Sequence, residues 1–306
     1  MSFMKQIALW LRAMRAPFLQ ASILPVLLGS VLAYRDGGFS FGLFWVTVVA
    51  MGAINIGTNL TNDYFDHLSG ADERTLFPTR FSGGSRVIQE GQISPEEIFI
   101  TAMIFYAVAI ILGLYLTFQS NWGLLVFGIL GVSLSFFYTA PPLRLGYRGW
   151  GEPLVGILLG PLAVLGAYYV YTRTLTDQAL FLSLPIGFLV TAILYINQFP
   201  DAESDAASGK LHWIARMGRE RAVGGYLAIL GMAYSSIFLP VVFGILPAWT
   251  LLALLSLPLS VQAARILRRS YDQPEELVPA MGLTIGTHLS VSLLLMVGLL
   301  LDYWMA

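Results

Sequence analysis

Along this chain the hydrophobic positions come in long runs, and the polar ones in short bursts between them. Apolar segments long enough to cross a bilayer lie near residues 17–35, 42–64, 97–118, 122–140, 151–171, 179–199, 221–243, 247–267 and 279–303. The 122–140 and 151–171 pair is the most interrupted, punctuated by Gly and Pro. The pattern predicts about nine transmembrane helices in a single all-α bundle over residues 1–306, because no long polar linker divides the chain. Ahead of the first span, residues 1–16 put Phe3, Ile7, Trp10 or Leu11, and Met14 on one helical face, with Lys5, Arg12 and Arg15 elsewhere. That suits a short helix lying in the membrane interface. Charges interrupt the stretch and no small-residue cleavage site follows, which argues against a cleaved signal peptide.

Three polar loops, 66–96, 140–150 and 200–220, carry nearly all the charge. With the N-terminus inside, nine spans put 15 of the 17 Lys and Arg on the cytoplasmic side and leave only Arg35 and Arg173 outside. The positive-inside rule therefore supports both the count and the orientation. The expectation is a multi-pass protein of the lipid bilayer, in the cytoplasmic membrane if the source is prokaryotic, with its polar loops facing the cytoplasm. Trp10, Trp122, Trp249 and Trp304 fall near span ends and read as interfacial anchors. Composition agrees: 57% of residues are hydrophobic and 11% charged, where a soluble domain carries about a quarter charged residues. A net charge of −1 gives no support for nucleic acid binding. Without cysteine there is no disulfide, thiolate zinc site or cysteine nucleophile. No obligatory protein partner is evident.

The unusual polar residues are those that close apolar runs. Asn59, Asp63 and Asp66 stand at i, i+4 and i+7 and share one helical face. Asn197, Asp201 and Asp205 repeat that spacing at the end of the run that starts near Ala179. Carboxylates at a membrane helix end imply a function and a partner. They also sit at the negative end of the helix dipole, where cations are needed to balance them. An oxygen-only set, joined by Asp72, suits Mg²⁺ shared between a few carboxylates and substrate phosphates. Basic residues lie near in sequence: Arg80 and Arg86, Arg144 and Arg148, and Lys210. Acids, metal and cations around one cavity describe a diphosphate site, in which negative charge on a departing diphosphate is stabilised. Two other readings stay open: acids simply solvated at helix ends, and a cation-coupled transporter, although transporter sites lie nearer the midplane.

The histidines read as lesser features. His67 falls on the face opposite the acids, His212 reads as a solvated interfacial side chain, and His288 as a bundle-facing hydrogen-bonding group. Glu152 opens an apolar segment and has no evident role; the Glu275–Glu276 pair reads as a solvated turn.

The two motifs resemble the hallmarks of the UbiA superfamily of intramembrane prenyltransferases, an NDxxDxxxD-type motif on the second helix and DxxxD on the sixth. Here they stand as Asn62-Asp63-Tyr64-Phe65-Asp66 and Asp201-Ala202-Glu203-Ser204-Asp205. Gly70 replaces the third acid of the first motif, and Asp72 follows two residues later. That form is similar to the 1,4-dihydroxy-2-naphthoate (menaquinone) branch. So are the stretch from Tyr138 to Glu152 (YTAPPLRLGYRGWGE) and the run from Asp205 to Lys210 (DAASGK). The resemblance covers essentially the whole chain. It implies Mg²⁺-assisted transfer of a polyprenyl group from its diphosphate to an aromatic acceptor. Asp63, Asp66, Asp201 and Asp205 would hold the metal, with Asp72 a further candidate. Asn59 and Asn197 would orient them, Asn59, Asn62, Asn197, Lys210, Arg144, Arg148, Arg80 and Arg86 would make up the diphosphate-binding set, and Tyr138 would line the cavity near the developing cation. Rival acceptors are 4-hydroxybenzoate, homogentisate, a glycerol phosphate lipid, a chlorophyllide or a carotenoid, and a terpene cyclase of the same fold is another alternative. The Gly-rich loop 76–91 and the Leu211-His212-Trp213 stretch depart from that branch where an aromatic acceptor would dock.

Overall fold

The computed structural model describes residues 3–74 and 77–305. Met1 and Ser2 of the N-terminal segment, the Phe3 side chain, and Thr75 and Leu76 beside the Gly-rich loop lie outside the described residues, as does Ala306. In hydrocarbon every backbone N–H and C=O must be paired within its own segment, so long apolar runs become helices. The helices are α1 (Phe3–Ala13), α2 (Gln20–Arg35), α3 (Phe41–Ser69), α4 (Pro95–Gln119), α5 (Leu124–Phe136) and α6 (Gly151–Thr172). They continue with α7 (Asp177–Asn197), the short α8 (Ala202–Ala207) and α9 (Trp213–Met217), α10 (Arg219–Val242), α11 (Ala248–Ser270) and α12 (Val278–Met305). No strand occurs among the described residues. Among the described residues eight helices are long and apolar enough to cross a membrane, and α5 is a shorter apolar ninth of 13 residues. The segment expected over 122–140 is thus helical only in its middle. It begins late because the Asn121 side chain takes the Gly123 N–H at 2.8 Å.

Local chemistry sets several helix ends. Ser94 and Glu97 form a reciprocal capping box at 3.2 and 2.9 Å, with Pro95 in the first turn, where its missing N–H costs nothing. α6 widens into a π turn over Leu158–Leu162, around Pro161. α7 is the central helix, packed by α6, α10 and α12, with Leu182, Ile186, Leu189 and Ile196 fully buried. Small residues let α6 and α7 touch along their backbones: a Cβ on Gly160 would stand 2.5 Å from the Gly187 Cα. Outward, Ile104, Ile111 and Phe118 of α4 and Phe238 and Val242 of α10 are exposed, an apolar surface suited to lipid.

Two expectations need correction. α7 stops at Asn197, and Pro200 lies in the turn before α8; without an N–H, and restricting the residue before it, Pro200 cannot continue the helix. Asn197, Asp201 and Asp205 therefore do not share one helix face as Asn59, Asp63 and Asp66 do. In α1, Leu9 and Trp10 pack inward on a small core with Ile88, Ile93 and Ile98, while Met4, Ile7 and Leu11 form the exposed apolar row. Trp10 is a packing residue here, because the 87–93 segment covers it.

Candidate active site

Because the helices alternate in direction, the C-terminal ends of α3 and α7 meet the N-terminal ends of α4, α6 and α10 at one end of the bundle. A cavity of about 600 Å³ opens there and runs down between α3, α5, α6 and α7. Its mouth is lined by Asn59, Asn62, Asp66, Asp72, Asp201 and Asp205. Its depth is apolar, with Ile54, Val132, Leu158 and Leu162 on the walls and Leu116 and Leu124 farther on.

Asp66 is satisfied within the chain. Oδ1 accepts from the Tyr147 hydroxyl at 2.6 Å, and Oδ2 accepts from Asn62 Nδ2 at 3.0 Å and from Lys210 Nζ at 2.9 Å. Lys210 Nζ also lies 3.7 Å from Asp205 Oδ2 and so bridges the two motifs. Burial works against its charge, yet Asp205 and Asp66 hold its pKa well above the ordinary lysine value. Burial likewise opposes the Asp205 charge, but Lys210 and His212 hold that carboxyl below the usual range. Asp201 behaves in the opposite way: burial, reinforced by the Asp205 charge, pushes it up to about 7. Asp72 is also raised, first by burial and then by Asp66 and Asp63.

A glycine-rich strap joins the motifs on another side. The Gly83 N–H donates to Asp201 Oδ2 at 3.0 Å, and the Ser85 N–H approaches Asp63 Oδ1 at 3.4 Å. Between them Gly84 has φ +75, and a Cβ there would meet Asp72 Oδ2 at 2.5 Å. Only glycine fits that backbone and that approach.

Of the basic residues expected at the site, the structure brings Lys210 to the cavity and leaves four arginines out of its lining. Arg148 donates to the Pro142 carbonyl at 3.0 Å, and Arg144 lies over the Tyr147 ring. Arg86 donates to the Asp72 carbonyl, and Arg80 lies over Phe81. Each guanidinium is engaged by its own loop. The cation that sequence spacing missed is Arg15, which lines the cavity, pairs with Asp63 and donates to Asn62 Oδ1 at 3.2 Å. Its left-handed backbone, φ 51, turns the chain from α1 into α2. Tyr138 lines the cavity as expected, and burial keeps its phenol neutral by raising its pKa. Asn59 also lines it, with its amide nitrogen on the Met14 carbonyl at 3.2 Å.

The histidine expectations also change. His67 pairs with Glu73 on the exposed surface. His212 is fully buried, not solvated: Nδ1 accepts from the Ala215 N–H at 3.3 Å, and Nε2 faces Asp205 Oδ2 at 3.3 Å. His288 is fully buried with neither ring nitrogen partnered among the described residues. Glu152 is buried too; it accepts from the Trp213 N–H at 2.7 Å and so ties the 210–213 turn to the start of α6.

Among the described residues no three acids or histidines converge on one ion-sized point. The acids expected as one oxygen-only set stand in two separate groups with Lys210 between them. Each group nonetheless keeps a buried oxygen with no hydrogen-bond partner among the described residues: Asp63 Oδ2, just outside the cavity lining, in one, and Asp201 Oδ1, on a residue of that lining, in the other. That donor set fits a hard divalent cation that takes one or two carboxylates from the protein and its remaining ligands from phosphate and water. Cations and acids at the mouth, above an apolar shaft, suit an amphiphile with an anionic head.

The UbiA prenyltransferase family matches residues 22–301. The chain belongs to this family. A 1,4-dihydroxy-2-naphthoate octaprenyltransferase of Bacillus subtilis is 32% identical over 286 residues, covering 94% of this chain and 90% of that protein. A 2-carboxy-1,4-naphthoquinone phytyltransferase of Synechocystis is 30% identical over 297 residues, covering 95% and 92%. The solved structure of a UbiA homolog from Archaeoglobus fulgidus bound to GPP and Mg²⁺ superposes with a TM-score of 0.63 over 94% of this chain and 99% of that one, at 14% identity. This UbiA protein is therefore a prenyltransferase enzyme with the all-α membrane fold of its family.

Proposed function

We propose that this UbiA enzyme transfers a polyprenyl group from its diphosphate to 1,4-dihydroxy-2-naphthoate, a step of menaquinone biosynthesis. The carrying observation is the cavity, whose mouth joins two acidic motifs through Lys210 and whose shaft is apolar, a match for a diphosphate head and an isoprenoid tail. The acceptor reading is supported by the naphthoate relatives and by the menaquinone-type sequence motifs.

Asp63, Asp66, Asp72, Asp201 and Asp205 would hold Mg²⁺, with the unpartnered oxygens of Asp63 and Asp201 available to it; Asn59, Asn62 and Asn197 orient the acids. When bound, Mg²⁺ supplies charge stabilisation for the leaving diphosphate. Lys210 and Arg15 hold the diphosphate in place of the four loop arginines. The allylic C–O bond breaks and its electron pair leaves with the diphosphate. The ring carbon that bears the carboxylate bonds to the allylic carbon, the carboxylate departs as carbon dioxide, and its bonding pair restores the aromatic ring. Tyr138, half-buried on the cavity lining, would flank the developing allylic cation with its aromatic ring. The distribution of basic residues supports an active site facing the cytoplasm.

Purified enzyme with Mg²⁺, a prenyl diphosphate and dihydroxynaphthoate is expected to give a prenylated product lacking carbon dioxide, read by mass. A different adduct would move the acceptor and keep the site. Asp63→Asn and Asp201→Asn are each expected to lower diphosphate release by at least about a hundredfold, the scale of lost transition-state charge stabilisation, while eluting and melting as folded protein. Near-normal release in both would overturn the site assignment.

A further inference from the structure

We infer that the aromatic ring of the acceptor sits in a cradle made by Phe18, Phe81 and Gln198, with the Gln198 amide oxygen taking a hydroxyl proton of that ring. This rests on the aromatic-acceptor reading above. All three side chains line the mouth of the cavity. Phe18 and Phe81 meet edge to face, with centroids 6.1 Å apart and planes at 86°, so they form a corner and not a stack. The corner is fixed beside the second motif. Thr79 Oγ1 accepts from the N–H groups of Phe81 and Ser82 at 3.1 Å each. Two residues beyond Phe81, the Gly83 N–H is on Asp201. On its outer side Phe81 carries Arg80, whose guanidinium lies 4.7 Å from the ring centroid.

Gln198 supplies the polar contact. It caps the end of α7 with 7% exposure, and its Oε1 is buried without a hydrogen-bond partner among the described residues. A buried amide oxygen without a donor is costly. The prenyl diphosphate cannot supply that donor, because an ionised diphosphate only accepts and an isoprenoid tail is apolar. A hydroxylated aromatic ring supplies both the O–H for Gln198 and the flat apolar faces that suit two phenyl walls. The other stretch that departs from the menaquinone pattern is excluded as the cradle. The Leu211 N–H is on the Tyr147 carbonyl at 2.9 Å, Trp213 Nε1 is on the Gly149 carbonyl at 2.8 Å, and neither residue lines the cavity.

The test compares dihydroxynaphthoate with its two monohydroxy analogues, 1-hydroxy-2-naphthoate and 4-hydroxy-2-naphthoate, as anaerobic ligands of the full chain in detergent. Wild-type protein is expected to bind one analogue roughly tenfold more weakly, the scale of one buried group left unpaired. In Gln198→Leu the diol is expected to bind no better than that analogue, because the partner of the lost hydroxyl is gone. Phe81→Ala is expected to raise the KM for dihydroxynaphthoate roughly tenfold and that for the prenyl diphosphate less than twofold. Leu211→Ala should change neither. Undiminished discrimination in Gln198→Leu, together with an unaltered acceptor KM in Phe81→Ala, overturns the cradle while leaving the acceptor reading intact. Failure of the wild type to prenylate dihydroxynaphthoate at all overturns the acceptor reading, and the cradle with it.

Discussion

The residues nearest the chemistry divide by how their partners are chosen. Asp63 and Asp66 were legible because helical periodicity places them on one face, a relation within a few residues. Of their cations, Lys210 was named from its place in the run from Asp205 to Lys210, whereas Arg15 was not. Lys210 reaches Asp66 across 144 positions and Arg15 reaches Asp63 across 48, and no periodicity links such pairs. Proximity in sequence also favoured Arg80, Arg86, Arg144 and Arg148, each of which is engaged by its own loop. His212 shows the same limit. Its Nδ1 accepts from the Ala215 N–H, and its Nε2 stands 3.3 Å from Asp205 Oδ2 without an aligned hydrogen bond. His212 is expected to position Asp205 through this proximity, and two substitutions separate that task from helix capping. His212→Asn keeps an acceptor for Ala215 but falls short of Asp205, whereas His212→Gln restores a donor at the reach of Nε2. The Mg²⁺ concentration for half-maximal binding of prenyl diphosphate should rise about tenfold or more in the Asn variant and stay closer to wild type in the Gln variant. Equal values in all three proteins would reduce His212 to a helix cap.

At the scale of elements, the apolar runs gave nearly every helix to within a few residues, since hydrocarbon length and backbone pairing leave few alternatives. The misses came where polar or cyclic residues intervene: Asn121 shortens α5, and Pro200 separates α7 from α8. Helix contacts were less visible, because they depend on which small residues face each other. Gly160 against Gly187 is the tightest backbone contact between α6 and α7. Gly160→Leu is expected to force these helices apart and to lower thermal stability in detergent by roughly 3 kcal/mol or more. Gly52→Ala on α3, where a new Cβ meets nothing within 4 Å, should be neutral or stabilising by up to about 1 kcal/mol. Similar melting temperatures for the two variants would show that the α6–α7 contact yields easily.

For the whole molecule, alternation of helix direction gathers every conspicuous polar loop at one end, which is why two motifs far apart in sequence face one cavity. The sequence pattern anticipated that gathering through the count of spans and the distribution of basic residues. It could not anticipate the strap of Gly83, Gly84 and Ser85, whose backbone joins the motifs without any side-chain signal beyond the glycines themselves. α5, one wall of the shaft, carries a different consequence. At 1.5 Å per residue, its 13 residues span about 20 Å, well short of a hydrocarbon core of about 30 Å. A leaflet that thins or dips along that wall would match the short helix, and the bilayer would in that way set part of the cavity's geometry. Reconstituted into vesicles of graded acyl length, the enzyme is expected to turn over fastest in the thinner membranes and to slow as the lipids lengthen. A flat response would mean that neighbouring helices shield α5 from its lipids. Under the expected response lipid thickness acts on this enzyme as an effector does, and membranes that differ only in their fatty acids run the same protein at different speeds.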